Sequence, residues 1–229
     1  MKLYELVGRD PSQGFSPFVW RTKMCLAHKG FDFETVPLVF SDFAEKLAFS
    51  GSKTVPVLVD GDNIISDSWD IACYLEETYP DRPSLFGSPA EKALALHGVN
   101  VFSYELFRPM FLACVKDIHE MADDRDKDYF RKTREARINM TLEEVVQYRD
   151  KNLETFRNLL KPYEATLSGQ DYFSGEAPAY LDYVIYGLFQ WAKAVSKVPV
   201  LKDEKNVILW CERMDMLYNG LGGQLKARA

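Results

Sequence analysis

Three short segments carry side chains able to hold one small ligand. The first is Phe15-Ser16-Pro17. Serine is a good N-cap, and proline at the first helical position loses no hydrogen bond, so a helix starts there. A hydroxyl in that place can also donate to an anion, where unpaired N–H groups and the helix dipole favour negative charge. A bound thiol would shift toward thiolate, the reactive nucleophile. The helix end supplies about 0.3–1 kcal/mol, and one pKa unit needs about 1.4 kcal/mol, so hydroxyl and dipole together reach it. Taken alone, Ser16 reads first as a plain cap and second as a thiolate-stabilising group.

The second segment is Thr54-Val55-Pro56, a proline opening a strand, which is unusual inside a small sheet. A trans bond, the commoner state, would mark an edge strand. A cis Val55–Pro56 bond would turn the Val55 N–H and C=O outward to pair with an extended peptide. The third is Asp67-Ser68 at another helix start. It reads either as an N-cap or as a receptor for a free amino-acid end such as a γ-glutamyl group. In the second reading Ser68 Oγ and N–H take the carboxylate and Asp67 the ammonium.

The elements that must position these residues fall into two halves. Strands are expected over 2–7, 33–39 and 55–59, with a hairpin turn at 60–63 leading into Ile64-Ile65. A polar loop, 8–14, precedes the helix that begins at Ser16-Pro17 and ends near His28-Lys29-Gly30. Ser41 or Asp42 would cap a short helix carrying Phe43 and Leu47, and Asp67 or Ser68 one with Ile71, Ala72, Leu75 and Tyr79 in a stripe. The order is βαβαββα, a small mixed sheet with helices on its faces. After the linker Pro80-Asp81-Arg82-Pro83 the strand signal disappears. Helical spacing runs over 90–121 and through Leu153, Phe156, Leu160, Tyr163 and Leu167. Thr141 to Glu144 fits a capping box, 180–195 reads as a buried central helix, and 207–217 as the last helix.

Bulk composition narrows the function. The 229 residues, 47% hydrophobic and 27% charged, suffice for two modest globular domains. The net charge of -6, with bases interleaved as in Lys127-Asp128 and Arg134-Glu135, argues against nucleic acid. No run of eighteen apolar residues would span a membrane. Glu5 interrupts the apolar stretch that a signal peptide needs, so a reducing, cytoplasmic compartment is expected. Cys25, Cys73, Cys114 and Cys211 are scattered, and the three histidines join no metal-spaced cluster, so no metal site is expected.

In order and spacing, the three segments resemble the glutathione site of the glutathione transferase superfamily. The likeness extends through Thr54-Val55-Pro56-Val57-Leu58-Val59 and Ile65-Ser66-Asp67-Ser68-Trp69-Asp70-Ile71-Ala72-Cys73-Tyr74-Leu75-Glu76. Phe173-Ser174-Gly175 followed by Pro178-Ala179-Tyr180-Leu181-Asp182-Tyr183 resembles that superfamily's folding motif in the helical half. Ala179 departs from it, standing where many members place a Ser or Thr cap, at a cost of about 1 kcal/mol unless Asp182 compensates. A finer likeness is to the bacterial β-aryl-etherases and fungal etherase-like transferases. It rests on Phe15-Ser16-Pro17-Phe18-Val19-Trp20-Arg21-Thr22-Lys23, His28-Lys29-Gly30-Phe31, Asp67-Ser68-Trp69 and Tyr79-Pro80-Asp81-Arg82-Pro83-Ser84-Leu85-Phe86.

The resemblance implies a thioredoxin-like α/β domain over residues 1–82 and an all-helical domain over 83–229. It implies glutathione as co-substrate, Ser16 at the thiolate, Val55 and Pro56 aligning the tripeptide, and Asp67 and Ser68 on its γ-glutamyl end. It also implies a homodimer and a small apolar, aromatic electrophile, with cleavage of a β-aryl ether as the subgroup's reaction. Ser12 is a second candidate hydroxyl, and Lys46 and Lys53 read first as solvated lysines and second as partners of the glycyl carboxylate. Cys25 and Cys73 read as packing residues, which disfavours cysteine-type chemistry. Trp20 reads as packing against the second half and Arg21 as an ion-pair anchor. Phe102, Tyr104, Phe107, Phe111 and Trp191 read either as core or as the wall of the second-substrate pocket, and a helix with aromatics on more than one face could do both. The rival readings are a non-catalytic glutathione or ligand carrier on the same fold and a structural interaction module.

Overall fold

The structure, a computed structural model, describes residues 1–228 and, for Ser103 and Tyr104, the backbone alone. The first half runs β1 (Lys2–Leu6), α1 (Pro17–His28), β2 (Glu34–Leu38), α2 (Phe43–Lys46), β3 (Val57–Asp60), β4 (Asn63–Ser66) and α3 (Ser68–Thr78). This is the expected βαβαββα order. The sheet order is β2-β1-β3-β4, with β1 parallel to β2 and the other pairs antiparallel. β3 starts at Val57, so the cis Val55–Pro56 bond lies before the ladder and not within the strand. The short helix lacks the expected side-chain cap. Asp42 itself has helical dihedrals, and its carboxylate accepts the Val39 N–H within a 3-10 turn, Phe40–Asp42.

The second half is helical: α4 (Pro89–Glu105), α5 (Phe107–Met121), α6 (Lys127–Ile138), α7 (Leu142–Val146), α8 (Arg149–Leu159), α9 (Lys161–Leu167), α10 (Tyr180–Val195) and α11 (Lys205–Gly220). Two expected continuous helices are divided, each beside a proline. Pro109, early in α5, has no N–H to give the Glu105 carbonyl, and the helix breaks at Leu106. Pro162 stands at the second position of α9 in the same way. α6 has no apolar stripe, and only Phe130 on it is buried, so periodicity did not mark it. In α11, Leu217, Tyr218 and Asn219 leave helical geometry, the latter two at φ 51° and 59°.

The two halves meet along α1 and α10, both buried over most of their length. They approach closely because residue 187 is glycine: a Cβ there would lie 2.4 Å from the Pro17 carbonyl oxygen. Asp182 holds the start of α10. Its carboxylate accepts from the backbone N–H groups of Phe173, Ser174 and Ala179 and from Trp210 Nε1, at 2.8–3.2 Å. This set compensates for the missing side-chain cap at Ala179. At the other end of α1, buried Lys29 pairs with Glu76 at 2.8 Å, and Glu76 also accepts the Leu85 N–H.

Candidate functional site

The loop before α1 is pinned so that Ser16 has one position. Phe15 N–H donates to the Leu6 carbonyl and Trp20 Nε1 to the Gly14 carbonyl, both at 3.0 Å. Glu5 and Lys23 pair at 2.7 Å beneath the loop. A Cβ on residue 14 would sit 1.7 Å from Glu5 Oε2, so a side chain there would have to displace the Glu5 carboxylate. Trp20 therefore anchors this loop through its indole N–H, beyond the packing role expected of it. Ser16 is 4% exposed and caps α1, its Oγ accepting the Val19 N–H at 3.3 Å. A hydroxyl has one donor and two acceptor lone pairs, so capping leaves the O–H to serve an anion at the helix start.

Ser16, Val55, Pro56 and Asp67 line one cleft of about 380 Å³ between the halves. Asp67 occupies φ 76°, a left-handed conformation that strains any residue but glycine. Its Oδ1 accepts the Trp69 N–H at 2.7 Å, capping α3. Ser68, by contrast, is buried and does not line the cleft; its carbonyl accepts from Tyr180 Oη at 3.3 Å. Ser66 and Thr54 line the cleft beside Asp67 and Val55, as does Ser52. No spacing in the sequence marks those three.

Ser12 is taken up elsewhere: its Oγ and N–H both donate to Asp10 Oδ1, at 2.7 and 2.9 Å, and it does not line the cleft. Lys46 pairs with Asp42 at 3.1 Å. Lys53 lines an adjoining pocket of about 650 Å³ with Ser52, Phe43 and Arg125. Arg21 is buried on α1 with its guanidinium over the Phe18 ring, and burial lowers its pKa. None of the four cysteines lines the cleft, and burial pushes the Cys25 thiol well above its ordinary range. Among the described residues no group of three or more His, Cys, Asp or Glu could hold a metal ion, and no helix is long and apolar enough to cross a membrane.

The far wall is aromatic. Phe107 and Phe111 stack at 5.7 Å, with Trp191 5.3 Å from Phe107. Phe40 meets Phe43 and Phe130, each at 5.8 Å. Phe102 is not part of this wall: it packs on Tyr163 at 5.2 Å. The Tyr104 side chain lies outside the described residues. The wall gains Phe40 and Phe130 because buried Asp126 joins the halves, accepting the Phe40 and Ser41 N–H groups at 2.7 and 2.9 Å. Nothing in the sequence singles out Asp126, whose role exists only across 85 residues of chain separation. The cleft thus has a polar end built from the sheet and α1 and an apolar end suited to a planar ring.

Comparison with known proteins agrees with this architecture. The chain matches the glutathione S-transferase N-terminal domain over residues 15–78 and the C-terminal domain over residues 93–210. It is similar to glutathione S-transferase U28 of Arabidopsis thaliana, 30% identical over 205 residues, 86% of this chain and 80% of that one. It is also similar to the glutathione S-transferase-like protein ustS of Aspergillus flavus, 26% identical over 90% of this chain and 80% of the relative. In fold it resembles the crystal structure of a glutathione S-transferase of Ceriporiopsis subvermispora in complex with glutathione. The TM-score is 0.81 at 24% identity, covering 100% of this chain and 98% of that one.

Proposed function

The chain belongs to the glutathione S-transferase family, and from that premise we propose that it transfers glutathione to a small aromatic electrophile by serine-type chemistry. Glutathione is the co-substrate, bound at the polar end of the cleft. The observation that carries the reading is the capping bond at Ser16, whose Oγ accepts from Val19 N–H at the edge of the cleft; in this reading its O–H serves the sulfur. The hydrogen bond and the helix start both favour thiolate over thiol. The Val55 backbone and Pro56 align the tripeptide. Asp67 takes the γ-glutamyl ammonium, and the start of α3 at Ser68 takes its carboxylate.

With the electrophile against the aromatic wall, the thiolate attacks the carbon bearing the leaving group. A C–S bond forms and the leaving group departs with the bonding pair. For a β-aryl ether the broken bond is C–O and a phenolate leaves, taking up a proton from solvent. The etherase-like motif around Phe15 to Lys23 supports this as the reaction. We further assign the sheet half, 1–82, to glutathione and the helical half, 83–229, to the second substrate, in a cytoplasmic homodimer.

Ser16→Ala tests the reading. It should lower kcat about 10- to 100-fold, the loss of one hydrogen bond to a charged group, with a smaller change in glutathione KM. Steady-state kinetics with an aryl ether and with a general chloronitroarene make the measurement. Full turnover in Ser16→Ala would remove Ser16 from the mechanism. Glutathione binding without turnover of any electrophile in the wild-type chain would favour the carrier reading.

A further inference from the structure

The transfer chemistry leaves one group in the cleft unused. Of the lining residues only Asp67 and Arg134 bear charge. Arg134 stands on α6 at the aromatic end, its guanidinium 4.7 Å from the Phe130 ring centroid and 5.3 Å from that of Phe40. Both rings line the same cleft. Two faces of π density hold the guanidinium plane and reduce the entropy lost when it binds a ligand. Nη1 donates to Thr133 Oγ1 at 2.9 Å. Among the described residues no carboxylate pairs with Arg134, and no other acceptor takes its remaining donors. Arg131, one turn earlier on the helix, is the contrast: Glu135 and Glu143 occupy it at 2.8 Å. An arginine presents five N–H donors in a planar fork matched to a carboxylate, and most of those at Arg134 are uncommitted.

A cation in a wall otherwise built of apolar, mostly aromatic side chains would be out of place for a wholly apolar substrate. Glutathione's own glycyl carboxylate has another cation to meet, since Lys53 lines the adjoining pocket past Phe43 and Ser52, where Arg125 is already paired with Asp42 and Asp123. We infer that the second substrate is an aromatic carboxylate, whose ring lies against Phe40 and Phe130 and whose carboxylate is taken by Arg134, the specificity-determining residue. The inference rests on the transferase reading for the identity of the reaction, but the anion site can be tested apart from turnover.

The experiment uses the full chain as wild type, Arg134→Met and Arg134→Lys, each checked for an unchanged melting curve. Calorimetric titration in the presence of glutathione compares 2-naphthoate with its neutral isostere 2-naphthamide. The wild type should bind the carboxylate about 10- to 100-fold tighter. Arg134→Met should abolish that preference without altering the affinity for naphthamide or for glutathione, and Arg134→Lys should restore part of it. Absence of a preference in the wild type, or equal losses for both ligands in Arg134→Met, overturns the proposal. So does a loss that falls on glutathione instead, which would make Arg134 a glutathione ligand.

Turnover is read in parallel with 4-chloro-3-nitrobenzoate and its methyl ester. In both, the glutathione sulfur bonds to the ring carbon, chloride leaves with the bonding pair, and the thiol proton goes to solvent. The acid-to-ester ratio of kcat/KM should fall in Arg134→Met by the same factor as the binding preference. If neither these two compounds nor the aryl ether and the general chloronitroarene are conjugated while naphthoate is still preferred, the transferase reading falls and the anion site stands.

Discussion

Asp67 concentrates two demands in one residue. It caps α3 through the bond to Trp69 N–H and contributes a negative charge to the cleft, at φ 76°. A strained non-glycine residue that persists is held by its surroundings, and such residues cluster at binding sites. Asp67→Asn keeps an oxygen for the cap and removes the charge. It should raise the glutathione KM about tenfold and move Tm by only a few degrees, which kinetics and a thermal melt separate. The same residue explains a limit of the linear chain. Asp-Ser at a helix start is legible as a cap, but its orientation toward a cleft depends on a backbone angle that no neighbour in sequence dictates. Ser68 makes the converse point. It shares the motif and sits one residue on, yet is buried away from the lining.

Among the elements, the crossing of α1 with α10 governs the site most directly. Pro17 is both the first residue of α1, next to Ser16, and the group that a Cβ on residue 187 would strike at 2.4 Å. The obstacle is backbone and cannot rotate aside. Gly187→Ala should therefore cost about 1–3 kcal/mol of stability, read by chemical denaturation, and should lower kcat by displacing Ser16. Asp182 is the second element-scale anchor. An asparagine there would aim an N–H₂ group at donors that need an acceptor, and hydrogen bonds to a charged group contribute about 1.5–3 kcal/mol each. Asp182→Asn should thus lose about 3 kcal/mol or more and fold poorly, checked by its denaturation midpoint and soluble yield. Helix existence was legible at both places. The division of the expected helices at Leu106 and Leu160 was not, because an apolar stripe continues across a proline break.

Across the whole molecule, stability should carry a pH signature from His28. Its Nδ1 lies 2.5 Å from Tyr183 Oη and 3.1 Å from Tyr218 Oη, joining the end of α1 to α10 and α11. Burial, reinforced by the neighbouring charge of Lys29, lowers its pKa. The unfolded chain then binds a proton that the folded chain refuses, so stability rises with pH across the window between the two values. On acidification the loss begins near the ordinary histidine pKa of about 6.5 and continues down to the depressed folded value. Thermal melts from pH 7.5 to 5.5 should show Tm falling in the wild type and a shallower slope in His28→Gln.

At this scale the chain by itself determined the class of molecule. Local patterns fixed by near neighbours, with the family resemblance they carry, were sufficient for that: the short strands, the Ser-Pro and Asp-Ser helix starts, the βαβαββα order and the buried stripe of 180–195. The resemblance they carry brought Ser16, Val55, Pro56, Asp67 and Ser68 forward as one set; the first four line one cleft, and Ser68 is buried away from it. The tertiary structure alone decided the rest of that cleft. Phe40 and Phe130 reach it because Asp126 ties segments distant in sequence, and Arg134 reaches it on a helix with no apolar period to reveal its buried face. Capping and periodicity are short-range and written in neighbouring residues. The walls of a cleft between two halves are set by long-range packing, where each side chain's partner lies scores of residues away.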